Sequence, residues 1–207
     1  MARYYRTQGI VLKKEDRGEA DRVFTVFTKD FGKLRLRAVS ERKITSKLRG
    51  GLELFYLAEI EFVQGKTQKT VTDAWAIDQH ILLRRDVNRL RVMHRLAEIV
   101  DDLVKGQEED QRLWSLLSET VAFLNRFDMK AREVRLVSYY FLWNLFATLG
   151  YRPSLGPIAE RNEKVAAVIR TFLQGDLAAL QDLSKAGIQE DLLQKICQEH
   201  LSKVQES

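Results

Sequence analysis

The chain has 207 residues and a formal net charge of +5, from 34 Lys and Arg against 29 Asp and Glu. Hydrophobic residues make up 45% of it and charged residues 30%, a balance that fits a folded globular protein and excludes a disordered one. The single cysteine, Cys197, excludes an intrachain disulfide and predicts a reducing compartment. We see neither a secretion leader nor an apolar run near the ~20 residues that span a bilayer, so we expect a cytoplasmic protein without membrane partners.

The first part of the chain has the pattern of a β domain. Residues 33–39 alternate strictly, with Leu34 and Leu36 on one face and charged side chains on the other. We predict five strands, at residues 5–14, 20–28, 33–39, 52–63 and 67–77. Five short strands with few long connections favour a small closed barrel, because closure removes exposed sheet edges.

The remainder has helical spacing of its apolar residues. Helices are predicted near residues 83–104, 113–124, 134–149, 160–173 and 188–204, with a short one near 176–183, and the helix at 134–149 is apolar on nearly all sides. The fold class is therefore α+β, with a barrel domain over 1–78 followed by an all-α domain over 79–207. No Gly/Ser/Pro-rich linker separates them, so we expect the two to pack rigidly.

The positive charge is concentrated in one segment. Residues 31–50 hold seven cations and one anion, Glu41, so a net +6 lies within twenty residues. Such local density predicts a phosphate-binding surface of low sequence specificity. The candidate DNA-binding residues are the strand cations and those of the loop that follows: Lys33, Arg35, Arg37, Arg42, Lys43, Lys47 and Arg49. An acidic protein segment is the alternative ligand, which would make the protein an interaction adaptor.

Catalytic and metal-binding patterns are absent from the sequence. The three histidines are far apart, no cysteine pair exists, and the phosphate-binding and nucleophile motifs of common enzyme families do not occur. We predict no enzyme activity, no catalytic residue, no metal and no cofactor.

A second cationic group precedes the most apolar helix. Lys130, Arg132 and Arg135 form a candidate basic rim beside an apolar pocket, suited to an acidic peptide that ends in an apolar side chain. Cations at a helix start oppose the helix dipole, which suggests that they serve another purpose.

Several segments, taken together in their order and spacing, resemble the bacterial recombination mediator RecO family. They are residues 6–12 (RTQGIVL), 18–22 (GEADR), 27–28, 32–33, 46–48 with Gly50, Leu52 and Phe55, and 149–155 (LGYRPSL). The resemblance covers residues 5 to about 155.

The resemblance implies an N-terminal OB-fold and a protein that binds single- and double-stranded DNA. It further implies annealing of complementary strands and assistance in loading RecA onto DNA coated by single-strand-binding protein. The implied partners are a RecR-like protein, the acidic tail of the single-strand-binding protein and, indirectly, RecA, at the bacterial nucleoid. The family's basic OB-fold residues correspond here to Lys33, Arg35, Arg37, Arg42 and Lys47.

Two departures from the family pattern affect these expectations. Many members continue after the 149–155 segment with paired cysteines of a zinc motif, whereas residues 156–159 here read GPIA. The family also often reads Ala-Lys-Gly-x-Arg where residues 38–42 read AVSER, which removes a cation and adds Glu41. We therefore expect a helical replacement of the zinc module and a DNA path shifted toward the strand face.

Overall fold

The computed structural model describes residues 3–175, 177–185 and 187–206. Five strands close into a barrel with the order β1-β2-β3-β5-β4. Their bounds are β1 Tyr4–Arg17, β2 Asp21–Thr28, β3 Gly32–Ala38, β4 Leu57–Gln64 and β5 Lys69–Asp78. All neighbouring strands are antiparallel except β3 and β5, which are parallel. The predicted α+β class with an N-terminal five-stranded OB-type barrel is confirmed.

Within the described residues, eight α-helices follow the barrel. They are α1 Ile81–Arg85, α2 Val87–Leu103, α3 Gln111–Leu124, α4 Ala131–Thr148, α5 Leu155–Arg161, α6 Glu163–Phe172, α7 Ala179–Lys185 and α8 Glu190–Gln205. Residues 156–159, where the sequence analysis expects a helix in place of a zinc module, lie in α5. None of these helices is both long and apolar enough to span a membrane.

Helix α4 is the centre of the helical part, as its all-round apolar pattern predicts. Phe141, Trp143 and Phe146 on different sides of α4 are all buried. The ring of His200 in α8 packs against Trp143 and Phe146, and its Nε2 lies 2.8 Å from the carbonyl oxygen of Tyr151. The last helix is thereby fixed to the end of α4.

The predicted strand at 52–63 is wrong in its first part, since β4 begins at Leu57. Phe55 adopts a left-handed backbone with φ 64°, which breaks an extended strand. Two different cores require this path: Leu52 is buried inside the barrel, whereas Phe55 is buried against the helices. A run of apolar residues that packs into two different cores can therefore have the composition of a strand without its extended backbone.

One of the two hydrophobic cores joins the outside of the barrel to the helices. Ile10, Leu12, Phe27 and Phe55 lie on the outside of the barrel and are buried among the apolar residues of the helices. The Phe55 ring meets the ring of His94 in α2 edge to face, with 4.8 Å between centroids. The domain boundary near residue 78 stays a prediction, although β5 ends and α1 begins on either side of it.

Candidate nucleic-acid interface

The part of the outer surface of β1, β2 and β3 that the helices leave uncovered is here called the cationic face, and it carries Arg35 and Arg37 of the predicted strand cations. Leu34 and Leu36 of β3 point into the barrel, and the register places Arg35 opposite Thr25 and Arg37 opposite Val23 of β2. Alternate residues on a strand lie ~6.6 Å apart on the same side. The predicted alternation of β3 is therefore present.

A bulge in β1 adds a cation that the sequence analysis missed. The β1–β2 register shifts between Val11 and Lys13, so that Lys13 lies opposite Thr25, on the same face as Arg35. Without the extra residue, Lys13 would share the inward orientation of Val11. Alternation alone could not reveal this, because a bulge changes which face a side chain occupies.

Lys33 is not part of the accessible cationic face. Its Nζ donates to the Asp101 Oδ1 at 2.9 Å and to the Asp101 carbonyl oxygen, and its side chain is only 15% exposed. This contact joins β3 to the end of α2. The structure thus assigns Lys33 to the junction between barrel and helices.

Arg35 and Arg37 are paired with acids on the same surface. The Arg35 side chain is 69% exposed and its Nη2 lies 3.0 Å from Glu15 Oε2. Arg37 donates through Nε to Asp21 Oδ2 at 2.8 Å, while Asp21 Oδ1 accepts from the backbone N–H of Ser40 at 2.8 Å. These donors, Ser40 first and then Arg37, hold the pKa of the Asp21 carboxyl below its usual value.

The loop after β3, residues 39–50, is here called the basic loop. Arg42 donates to the Gly18 carbonyl oxygen at 3.2 Å and lies 3.6 Å from Asp16 Oδ2. The exposed side chains of Lys43, Lys47 and Arg49 have no hydrogen-bond or ion-pair partner in the part of the chain that the structure describes. Lys47 and Arg49 lie in a 3-10 helix, Lys47–Gly50.

Glu41, the one anion of the segment, does not face the cations of the basic loop. Its side chain is buried and accepts from Arg22 Nη1 at 3.1 Å. Arg22 also donates through Nε to Asp16 at 2.8 Å, and this bond raises the pKa of Arg22. The departure from the family pattern at position 41 therefore removes no positive charge from the exposed surface.

The second predicted group, Lys130, Arg132 and Arg135, does not assemble into an unpaired cationic rim. Arg132 and Arg135 of α4 donate through Nε to the two oxygens of Glu190, at 2.7 and 2.8 Å. Arg132 also donates to the Ser184 carbonyl oxygen at 2.8 Å. Lys130 is exposed at the start of α4. Arg132 and Arg135 lie at the end of α4 where the helix dipole disfavours cations. Their ion pairs with Glu190, in the first turn of α8, compensate for this.

An apolar pocket with a basic rim lies nearby, between α2, α4 and α8. It has a volume of about 210 Å³, and Arg91, Arg95 and Arg135 are among the residues that line it. Its apolar lining comes from Val92, Tyr139, Leu142, Cys197 and Leu201. Arg91 and Arg95 are one helical turn apart, a spacing that the sequence analysis overlooked. Burial raises the pKa of the Cys197 thiol to about 12, so the thiol stays protonated and apolar.

Replacing Glu190 with glutamine tests the link between α4 and α8. Hydrogen bonds from Arg135 and Arg132 hold the pKa of Glu190 below its usual value. The ion pairs therefore contribute stability above the ordinary glutamate pKa of ~4.3, which is lost as pH falls through the lowered folded pKa. We expect Glu190→Gln to lower the free energy of unfolding by about 1–2 kcal/mol at pH 7, and by less at pH 3, in urea titrations.

The matched control is Asp182→Asn, which breaks the exposed pair of Asp182 with Lys185. It should change stability by less than ~0.5 kcal/mol at either pH. An equal effect of Glu190→Gln at both pH values would contradict the assignment.

Comparison with known proteins identifies relatives of both halves. The sequence model described as Recombination protein O N terminal matches residues 1–80, and Recombination protein O C terminal matches residues 84–163. Similar curated proteins, each named DNA repair protein RecO, come from Roseiflexus, Acetivibrio thermocellus and Dehalococcoides mccartyi.

Identity to these three is 35% over 156 residues, 31% over 150 and 30% over 168, covering 74%, 72% and 81% of this chain. The chain in turn spans 52%, 59% and 65% of the length of those proteins. With both family models matched in order and the barrel in place, the chain belongs to the Recombination protein O (RecO) family.

Proposed function

We propose that this chain is a DNA-binding recombination mediator, which binds and anneals DNA and helps load RecA onto DNA coated by single-strand-binding protein. The observation that carries the proposal is that Lys43, Lys47 and Arg49 of the basic loop, which follows β3, are exposed and have no ion-pair partner among the described residues. The names of the relatives support a role in DNA repair. The proposal implies action in the bacterial cytoplasm, at the nucleoid.

Phosphates would bind at the unpaired cations first. Lys43, Lys47 and Arg49 break no hydrogen bond or ion pair with a described residue when they bind a phosphate, so their full charge is available to the ligand. Arg35 would exchange its carboxylate partner for a phosphate, because its exposed ion pair contributes only ~0–1 kcal/mol. Arg37 is half-buried and its partner Asp21 is 16% exposed, so this pair would exchange less readily. A DNA strand would then run from the basic loop onto the cationic face.

Annealing requires no catalytic group under this proposal. Two strands repel each other through their phosphates, and a surface that neutralises part of that charge lowers the repulsion. Contacts to phosphate carry no sequence information, so any pair of complementary strands can be accommodated. The chemistry under this proposal is electrostatic, and the absence of enzyme activity stays a prediction.

We further propose that the pocket between α2, α4 and α8 receives the acidic tail of the single-strand-binding protein. Arg91 and Arg95 have no ion-pair partner among residues 3–175, 177–185 and 187–206, and they can pair with carboxylates. The apolar lining would take an apolar side chain at the end of the tail. This location replaces the predicted rim, of which only Arg135 contributes. A RecR-like protein remains a proposed partner on the strength of the family alone.

Charge reversal in the basic loop tests the DNA-binding proposal. We expect Lys47→Glu with Arg49→Glu to weaken binding to single-stranded DNA at least tenfold at 50 mM salt, and to reduce the salt slope by about 1.4, or ~0.7 for each lost phosphate contact. Neither side chain makes a hydrogen bond or an ion pair with the residues that the structure describes, so the fold should survive the substitution. Fluorescence anisotropy over a salt series measures both quantities.

The control for charge reversal is Lys164→Glu with Lys195→Glu, which makes the same change at exposed positions of α6 and α8. Binding should be nearly unaffected. Equal losses in the two double variants would indicate a response to net charge alone and would overturn the assignment of the loop.

Removal of two arginines tests the tail pocket. Arg91→Ala with Arg95→Ala should weaken binding of an acidic peptide with a terminal phenylalanine about five- to thirtyfold, because the two lost charge pairs remove ~1–2 kcal/mol in total. The same peptide ending in serine should bind poorly to the unchanged protein. Single-stranded DNA binding should not change, and competition of the peptide with DNA for the basic loop would instead support the adaptor alternative.

A further inference from the structure

The basic loop exposes two apolar side chains among its cations. Ile44 is 91% exposed and Val39 is 48% exposed. Ile44 occupies the second position of a turn that is closed by the Ser46 N–H, which donates to the Lys43 carbonyl oxygen at 3.0 Å. An isoleucine at the corner of a turn projects into solvent without contributing to either core.

The loop tip is held in place from below. The Arg42 N–H donates to the Ala20 carbonyl oxygen at 2.9 Å, and the Ser40 N–H donates to Asp21 at 2.8 Å. Between them, Glu41 is buried against Arg22. Isoleucine is also stiff at its first side-chain torsion because it branches at Cβ. The tip is thus ordered before any ligand arrives, and binding would cost it little conformational entropy.

The chemistry of the tip matches a ligand that presents negative charge and apolar surface together. Lys43 and Lys47 lie on either side of Ile44 in the sequence and can take phosphates, while Ile44 offers a compact apolar surface. Base faces are apolar and are accessible in single strands and at unpaired positions, whereas stacking covers them in an intact duplex. Apolar wedges that insert between bases are a known use of such side chains.

We propose that Ile44 packs against exposed base faces, so that the basic loop prefers DNA with unpaired bases over intact duplex. This inference rests on the proposed function, since it assigns a substrate preference to the same site. An anionic membrane surface would also attract cations beside an apolar residue. Its binding scales with buried apolar area, and one fully exposed isoleucine supplies little of it.

The test compares Ile44→Ser with Val87→Ser in the full chain. Val87 is 67% exposed at the start of α2, outside the proposed site, and provides the matched loss of an exposed apolar side chain. The ligands are a single strand that contains 2-aminopurine, a blunt duplex of the same sequence, and vesicles rich in anionic lipid. Affinity, salt slope and 2-aminopurine fluorescence are measured for each protein.

We expect Ile44→Ser to bind the single strand about five- to tenfold more weakly, from the lost partial burial of one isoleucine, with an unchanged salt slope and unchanged duplex affinity. The 2-aminopurine response should shrink, and Val87→Ser should behave as the unchanged protein. Equal single-strand affinity in both variants would overturn the wedge and leave the proposed function standing. Absence of DNA binding in the unchanged protein would overturn both, and Ile44-dependent vesicle binding without DNA binding would assign the tip to a membrane surface.

Discussion

The buried ion pair between Glu41 and Arg22 is the constraint on which the basic loop depends. A carboxylate taken out of water is costly unless it is paired, and Arg22 provides that pairing at 3.1 Å. The pair fixes the start of the loop against the turn between β1 and β2, where Asp16 and Asp21 also hold Arg42 and Arg37. Asp16, Asp21 and Glu41 are therefore paired with arginines at the base of the loop. Lys43, Lys47 and Arg49, farther along the loop, have no ion-pair partner among the described residues.

Cations of the same segment therefore have different tasks. Lys33 joins the barrel to α2, whereas Arg35 is exposed and paired with Glu15, and Arg37 is half-buried and paired with Asp21. Lys47 and Arg49 are presented by a short helix that Leu48 anchors in the barrel core. A count of charges over the segment treats all of these cations alike. Of the five, Lys47 and Arg49 can bind a ligand without first losing an ion pair with a described residue.

The sequence was sufficient where a pattern is local. The period of two in β3 predicted which of its side chains face outward, and the all-round apolar character of α4 predicted its central position. It was insufficient where the partner is distant along the chain. Nothing near Arg132 or Arg135 indicates that Glu190, more than fifty residues later, takes both guanidinium groups. The bulge before Lys13 has the same character, because a one-residue shift in register leaves no trace in composition.

The central claim, that the basic loop and the cationic face bind a strand through its phosphates, is tested most directly by the salt dependence of single-strand binding to the unchanged protein. Seven accessible cations predict a slope of log K against log salt of about −5 for a single strand of DNA; they are Lys13, Arg35, Arg37, Arg42, Lys43, Lys47 and Arg49. A slope near −5 supports this surface as the binding site. A slope near zero, or no binding at 50 mM salt, would contradict the account.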